Sequence, residues 1–444
     1  MGFSWRIVSC KLKRLDCVCA RANRKLHLEG IGFQFVDEEG SGPSIPARRR
    51  IFSTVPQRVK WLIYLSTAVT AAFGYFLIAV SAYLPETGMN SGQVGILLGV
   101  NGLVFVIAAI PMGMFSDRRG RKGILQLGVL AMLPMLLVYA FTTDFAYLLI
   151  AAAIAGIGEG AFMASWNTLI ADMTNPENRN EAFSLSFIVG NAGFGIGFAF
   201  PLLFPAISDL TGFDSRTVHS YAFLFMAVLV AASFFFLRSL LKGYIEDLRP
   251  KKTLLLPESK GPLFKFSTIN SLIGLGAGFI IPLIPTWLFL KFDLPDTYSG
   301  PLLAISNIMI GLAAIISARL AKRYGIIRAI VLTQSLSTVL MLSLAYVPGA
   351  ALASIVYLGR AALMNMASPL SDSFMMGLVS KEERGLASAI NSIVWRVPNS
   401  ATTIVGGMLL ASGMYDVPFI LATGFYVVAI SLFYRTFKDT VPRG

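Results

Sequence analysis

Twelve apolar stretches run through this chain, and no other feature constrains its fold as strongly. A helix rises about 1.5 Å per residue, so about 20 apolar residues cross a bilayer core of roughly 30 Å. The stretches lie at 61–84, 91–116, 123–142, 146–173, 182–207, 219–237, 266–290, 298–318, 329–347, 351–379, 385–411 and 417–434, with the charges almost wholly between them. They are continuous rather than alternating, which argues for helices over a barrel, because a spanning backbone must satisfy its own hydrogen bonds. The expected fold class is an all-α integral membrane protein with twelve transmembrane helices. Composition agrees: 14% of residues are charged, against about 25% in a soluble domain.

Lysine and arginine set the expected orientation, since positive loops stay cytoplasmic. Arg118, Arg119, Arg121, Lys122, Arg319, Lys322, Arg323 and Arg328 fall in loops on one side, whereas the opposite loops hold Arg216 and Lys291. Both termini are therefore expected in the cytoplasm of a multi-pass protein of the cell membrane. The net charge of +13 then faces anionic lipid of the inner leaflet, and nucleic acid is not an expected partner.

Residues 1–59 read as a basic, flexible cytoplasmic extension, with a Gly/Ser/Pro stretch from Gly40 to Pro46 followed by Arg48, Arg49 and Arg50. It carries no apolar core of a cleaved secretory signal and lacks the residue that myristoylation wants at position six. All three cysteines, Cys10, Cys17 and Cys19, lie here, where thiols stay reduced. Their spacing with His27 is not that of a zinc knuckle, and no metal is expected.

An internal repeat organises the remainder. A shift of 205 residues carries Gly95-Ile-Leu97-Leu98 onto Gly300-Pro-Leu302-Leu303, Ala108-Ala109-Ile110 onto Ala313-Ala314-Ile315, and Arg118 and Gly120 onto Arg323 and Gly325. It also carries Glu177, Arg179 and Ala182 onto Glu382, Arg384 and Ala387. Six plus six helices in one orientation make a parallel repeat with a pseudo-twofold axis along the membrane normal. The expected domains are a six-helix bundle at 60–238, a cytoplasmic linker at 239–264, a second bundle at 265–437 and a short cytoplasmic tail at 438–444.

The loop between the second and third helices is specific. Gly113-Met-Phe-Ser-Asp117-Arg118-Arg119-Gly120-Arg121-Lys122 resembles the signature of the major facilitator superfamily, and the resemblance covers residues 60 to 437. Physically, Gly113 is expected to permit close helix approach, Gly120 a tight turn, and Asp117 a charge among cations. The second copy, Ala318 to Gly325, has Lys322 in place of the acid. The resemblance implies a secondary transporter whose helices one, four, seven and ten line a central cavity, with the loop motif acting in gating.

Ionisable groups at bilayer depth are costly and mark functional positions. The candidates are Glu159, Arg360, Asp372 and Arg396. Glu159 has Met163 at i+4 and Trp166 at i+7 on one helical face, either a binding wall or a carboxylate held by a neighbouring helix. Arg360 is placed to bind an anionic substrate or to pair with Glu159. Arg396, on a face with Asn399 and Thr403, either acts in the site or stabilises one conformation together with Asn101. Gly156, Gly158 and Gly160 read as close-packing positions, and Gly274, Gly276, Gly278, Pro282 and Pro285 as a bend in helix seven.

No nucleotide, zinc or nucleophile motif occurs, so the expectation is a non-enzymatic carrier with no cofactor, acting as a monomer on a small organic solute. An ion gradient supplies the energy. The proton carrier is expected at Glu159 and then Asp372, with sodium coupling open. Within the family the chain is most similar to proton-coupled drug and metabolite exporters. It departs from them at Ala152, where they carry an arginine, and in helix five, where their Gly-Pro-x-x-Gly-Gly appears only as Gly190, Gly193, Gly195, Gly197 and Pro201. Efflux by proton antiport is thus the first expectation. Uptake of an organic anion or nutrient, or a sensor that transports nothing, are the alternatives.

Overall fold

The computed structural model describes residues 52–246, 257–380 and 383–440, together with four short strands nearer the amino terminus. The linker segment 247–256, Glu382 of the repeat and the side chains of Cys10, Cys17, Cys19 and His27 lie outside the described residues. Met1–Ser53 and Thr54–Gly444 form separate compact units.

In the first unit, β1 (Cys10–Lys11), β2 (Asp16–Val18), β3 (Lys25–Glu29) and β4 (Gly32–Val36) form an antiparallel sheet in that order. Where a flexible extension is expected from composition, β3 and β4 pair with Leu26 opposite Phe35 and Leu28 opposite Phe33. Both segments alternate apolar and polar residues, the pattern of a strand, which the abundance of basic residues hides.

The second unit is helical throughout its described residues. Its long helices are α1 (Gln57–Glu86), α2 (Ser91–Arg119), α3 (Arg121–Phe141), α4 (Phe145–Asp172), α5 (Glu177–Thr211), α6 (Ser215–Leu240), α7 (Ser259–Phe292), α8 (Asp296–Tyr324), α9 (Ile326–Ala345), α10 (Ala350–Met376), α11 (Arg384–Ala411) and α12 (Val417–Phe437). Among the described residues ten are long and apolar enough to cross a membrane. The other two, α8 and α11, are of spanning length at 29 and 28 residues. Side chains such as Ile107, Phe141, Ile308 and Val339 stand outward and exposed, a liability in water but the required surface against lipid.

Packing repeats with the sequence. In the first half α1 packs on α5 and α6, α2 on α4, and α3 on α4 and α6; the second half repeats this as α7 on α11 and α12, α8 on α10, and α9 on α10 and α12. The halves meet where α2 crosses α11 and α5 crosses α8. These crossings are related by the same shift of 205. A Cβ on Gly95 would press on the Thr403 carbonyl, and one on Gly300 on the Phe198 carbonyl, so the two crossings are copies of one contact. Thr286 donates to the carbonyl of Ser81, its own counterpart in the first half. Residues exchanged by a twofold can touch only near the axis, which fixes the axis between α1 and α7.

The loops fall at two ends. The terminal end carries Thr54, the 117–122 loop, Asp172 and Glu246, joined by hydrogen bonds and ion pairs such as Arg121 to Asp172 and Asn178 to Thr54. The distal end carries Glu86, His219, Lys291 and Asp296. Both crossings, the Ser81–Thr286 bond and the Glu86–Asp296 bond lie in the distal half. The halves are therefore drawn together distally, leaving the space between them on the terminal side. Helix α7 breaks after Gly278 and resumes through a 3-10 turn at Ile281–Leu283, the bend expected from its glycines and prolines.

Candidate functional site

A cavity of about 580 Å³ is lined by α7, α9, α10, α11 and α12 of the second half and closed on the other side by Phe105 of α2 and Glu159 and Met163 of α4, so of the helices expected to line it α1 contributes no wall residue; its size is within the range of small-molecule sites, roughly 300–1,000 Å³. Its wall brings together Glu159 and Met163 from α4, Arg360 and Asp372 from α10, and Arg396 from α11. Five of the six expected pathway residues thus meet. Trp166 does not: its indole stacks on Phe162 at 5.1 Å and donates to Ser186 Oγ at 2.8 Å, which ties it to α5 away from the cavity. Seven residues from Glu159 is nearly two turns, enough to carry the ring past the wall.

Arg396 Nη2 donates to both Glu159 oxygens, at 2.9 and 3.1 Å, and the guanidinium lies over the Phe105 ring at 4.6 Å. This ion pair joins α11 of the second half to α4 of the first. Arg360, the partner considered for Glu159, does not pair with it among the described ion pairs; Arg396, expected beside Asn101, does. Asn101 is placed elsewhere, donating to the Ala152 carbonyl from α2, and Asn399 donates to the Gly274 carbonyl. The shift of 205 relates Glu159 to Met364 and Arg396 to Asn191, so the repeat carries this charge pair on one side only.

Arg360 is 5% exposed and donates from Nη2 to Tyr426 Oη at 3.1 Å, while its Nε has no hydrogen-bond partner. No carboxylate pairs with it among the described ion pairs. A buried guanidinium without an anion is costly, and here it borders a cavity. Asp372 stands on the same helix toward the terminal end and is exposed at the mouth. The rest of the polar wall, Asn270, Gln334, Asn365 and Asn391, was legible as amides in apolar runs but not singled out. Asn270 donates to Asn391 at 2.9 Å across α7 and α11. Gly156 and Gly160 lie against the backbone of α2, and Gly158 against that of α3, so these glycines serve packing, as expected, and cradle no phosphate.

The loop motif sits at the terminal end. Gly120 has φ of +106°, a region costly to other residues, and caps both α2 and α3. Its counterpart Gly325 has φ of +81°. A Cβ on Gly113 would meet nothing within 4 Å, so the close approach expected there is absent. Asp117 is exposed and lies 3.9 Å from Arg121. Arg121 also pairs with Asp172 of α4. Glu246, which no spacing rule marks, accepts from the backbone N–H groups of Arg121 and Lys122 at 2.6 and 2.7 Å, a carboxylate on the amino end of α3. Lys122 Nζ reaches the Tyr244 carbonyl. Arg118 and Arg119 end α2, and Arg119 lies over the Phe115 ring.

Comparison with known proteins agrees with this geometry. Over 302 residues the chain is 27% identical to the class H tetracycline resistance protein of Pasteurella multocida, spanning 64% of this chain and 73% of that one. It is 31% identical over 147 residues to the 4-hydroxybenzoate transporter PcaK of Pseudomonas putida, 33% of this chain and 32% of that one. A match to an uncharacterized transporter of Buchnera aphidicola is 31% identical over 172 residues and spans 41% of that protein. Two of these three relatives are thus matched over less than half their length. Among solved structures, the nucleoside transporter NupG superposes with a TM-score of 0.69 at 17% identity, covering 85% of this chain and all of that one. A bacterial homologue of the lysosomal transporter Spinster, in an inward-facing and unoccupied conformation, gives 0.67 at 16%, covering 86% and 98%. The profile of the Major Facilitator Superfamily matches residues 61–364 and 266–444, two overlapping passes along a duplicated chain. Two six-helix halves, a cavity with walls from both, a loop motif at their terminal end and a family profile matched over nearly the whole helical unit make this chain a multi-pass membrane transporter of the Major Facilitator Superfamily.

Proposed function

We propose that this transporter is a secondary carrier of small organic anions, moved by alternating access and coupled to protons through Glu159, with its terminal end in the cytoplasm. The observation that carries the reading is the Glu159–Arg396 pair, an ion pair inside the cavity that also joins the halves. Whatever separates the two side chains changes both the charge in the site and the hold between the halves. Arg360 supplies the preference for anions, since it borders the cavity with an unsatisfied Nε and, among the described residues, no carboxylate paired with it. A substrate carboxylate that takes Arg396 displaces Glu159, and an unpaired charge at that depth is neutralised by a proton. Anion and proton then travel together. The likeness to a 4-hydroxybenzoate transporter supports the same class.

Proton-antiport efflux, the first expectation from the sequence, is the second reading. It is favoured by the long alignment with a tetracycline resistance protein and by the match to the quinolone resistance protein NorA of Staphylococcus aureus. In that case drug and proton compete for Glu159. Proteoliposomes with an imposed pH gradient separate the two readings. Acidifying the compartment that holds labelled 4-hydroxybenzoate accelerates its exit in the first reading, and flux of tetracycline against the proton flow supports the second. No pH-driven flux of either overturns proton coupling.

A further inference from the structure

The distal end holds a second titratable cluster that the cavity does not use. His219 of α6 and Asp296 at the start of α8 are both almost fully buried and belong to different halves. His219 Nε2 lies 2.9 Å from Asp296 Oδ2, and its Nδ1 lies 2.8 Å from the carbonyl of Ser215. A carbonyl oxygen only accepts, so Nδ1 carries a hydrogen. The Nε2 contact then needs a hydrogen of its own, on the ring or on the carboxyl. Without it, a nitrogen lone pair faces a carboxylate in a buried site, which is repulsive.

From this geometry we infer that His219 and Asp296 form a proton-binding site that latches the distal ends of the two halves together. The bound proton is shared between imidazole and carboxylate, and its loss releases the latch. The inference stands apart from the identity of the transported solute, because none of these residues lines the cavity.

The surroundings are built for a cationic ring. Tyr83 stacks on His219 with centroids 3.5 Å apart and planes 10° from parallel, and Tyr75 stacks beyond at 6.5 Å. Such faces favour a cation. Phe204 closes another side edge-on. Ser215 Oγ lies 3.5 Å from Nδ1, too long to compete with the carbonyl. Glu86 of α1 accepts from the backbone N–H of Asp296 at 2.6 Å, a second bond between the halves. Asp293 adds another carboxylate within reach of Glu86, and Arg216 and Asp214 flank Tyr83. Carboxylates thus outnumber Arg216 among these groups, while Lys291 at the same end is turned to the Ala345 carbonyl, and the cluster gains from a proton.

The sign follows. At low pH on the distal side the site is filled, the distal ends are latched and the cavity faces the terminal end. As pH rises the proton leaves and the distal ends part. The duplication did not supply this device: the shift of 205 places Gly424 opposite His219 and Ser91 opposite Asp296.

The test uses the full chain with Cys10, Cys17 and Cys19 replaced by serine, reconstituted in lipid nanodiscs. Spin labels go at Leu210→Cys and Tyr346→Cys, exposed positions at the distal ends of the two halves. Distances are measured by double electron–electron resonance at about pH 5.5 and about pH 8.5. The parent is expected to gain the longer distance at alkaline pH, with the open-to-closed ratio rising about tenfold or more. His219→Gln and Asp296→Asn each keep a side chain able to hydrogen-bond but remove the shared proton, and each is expected to flatten the response. The variants are read separately, so loss of fold in one leaves the other decisive. A parent without pH response, or a folded variant that keeps the parent's response, overturns the inference.

Discussion

Gly95→Ala is expected to turn the transporter toward its distal-open state. The added Cβ would lie 2.8 Å from the Thr403 carbonyl oxygen and 2.9 Å from Gly407 Cα, against a comfortable separation of about 3.5–4.0 Å. Both neighbours are backbone, so no rotamer change relieves the overlap and the helices themselves must separate. Overpacking of this kind costs about 1–3 kcal/mol. On the proposed alternating access α2 and α11 part here as the distal ends open, so that cost falls on one state. The ratio of terminal-open to distal-open molecules should fall by about 5- to 150-fold, at 1.4 kcal/mol for each factor of ten. Spin-label distances across the terminal end, in Cys-free protein, measure that ratio. Gly113→Ala on the same helix is the control, since its Cβ meets nothing within 4 Å while gaining the same helix propensity. Equal populations in the two variants would refute the assignment of the α2–α11 crossing as the distal closure.

Other outcomes follow from particular contacts. Arg360→Gln should weaken binding of an organic anion by about 10- to 150-fold, the worth of a charge-assisted hydrogen bond, whereas Tyr426→Phe, which removes only the phenol that orients the guanidinium, should cost less, about fivefold; equilibrium binding to detergent-purified protein reads both. Gly120→Ala forces a φ of +106° on an alanine and brings its Cβ against the Glu246 carboxylate, and should cost about 1–2 kcal/mol of stability. Asp117→Asn, at an exposed side chain 3.9 Å from Arg121, should stay within about 0.5 kcal/mol, and thermal unfolding distinguishes the two. Reporters fused after Gly444 and inserted near Ser41 should both sit on the cytoplasmic face.

Hydropathy and charge made the architecture legible because lipid imposes its requirement locally: each span must be apolar and helical by itself. The shift of 205 was equally legible, and the structure repeats it in the paired positive φ angles of Gly120 and Gly325 and in the Ser81–Thr286 contact. Helical spacing found Glu159 and Met163 on the cavity wall but misplaced Trp166, since a face drifts over two turns. The partner of Glu159 was not legible. Arg360 and Arg396 are both arginines in neighbouring spans, and only the crossing of α2 with α11 decides which guanidinium arrives. Glu246 and the His219–Asp296 pair were invisible for a related reason. They are contacts between segments 125 and 77 residues apart, and neither leaves a pattern along the chain.

The claim on which the account depends is that Glu159 couples proton to substrate, and one reconstitution tests it. Parent and Glu159→Gln proteins are placed in liposomes and assayed for accumulation of labelled 4-hydroxybenzoate down an imposed pH gradient, and for exchange of label with no gradient. Glutamine keeps the shape and hydrogen bonds of the protonated carboxyl but cannot release a proton. The account predicts that exchange survives in the variant while gradient-driven accumulation is lost. Full accumulation in Glu159→Gln would contradict it and make the pair with Arg396 a structural tie alone.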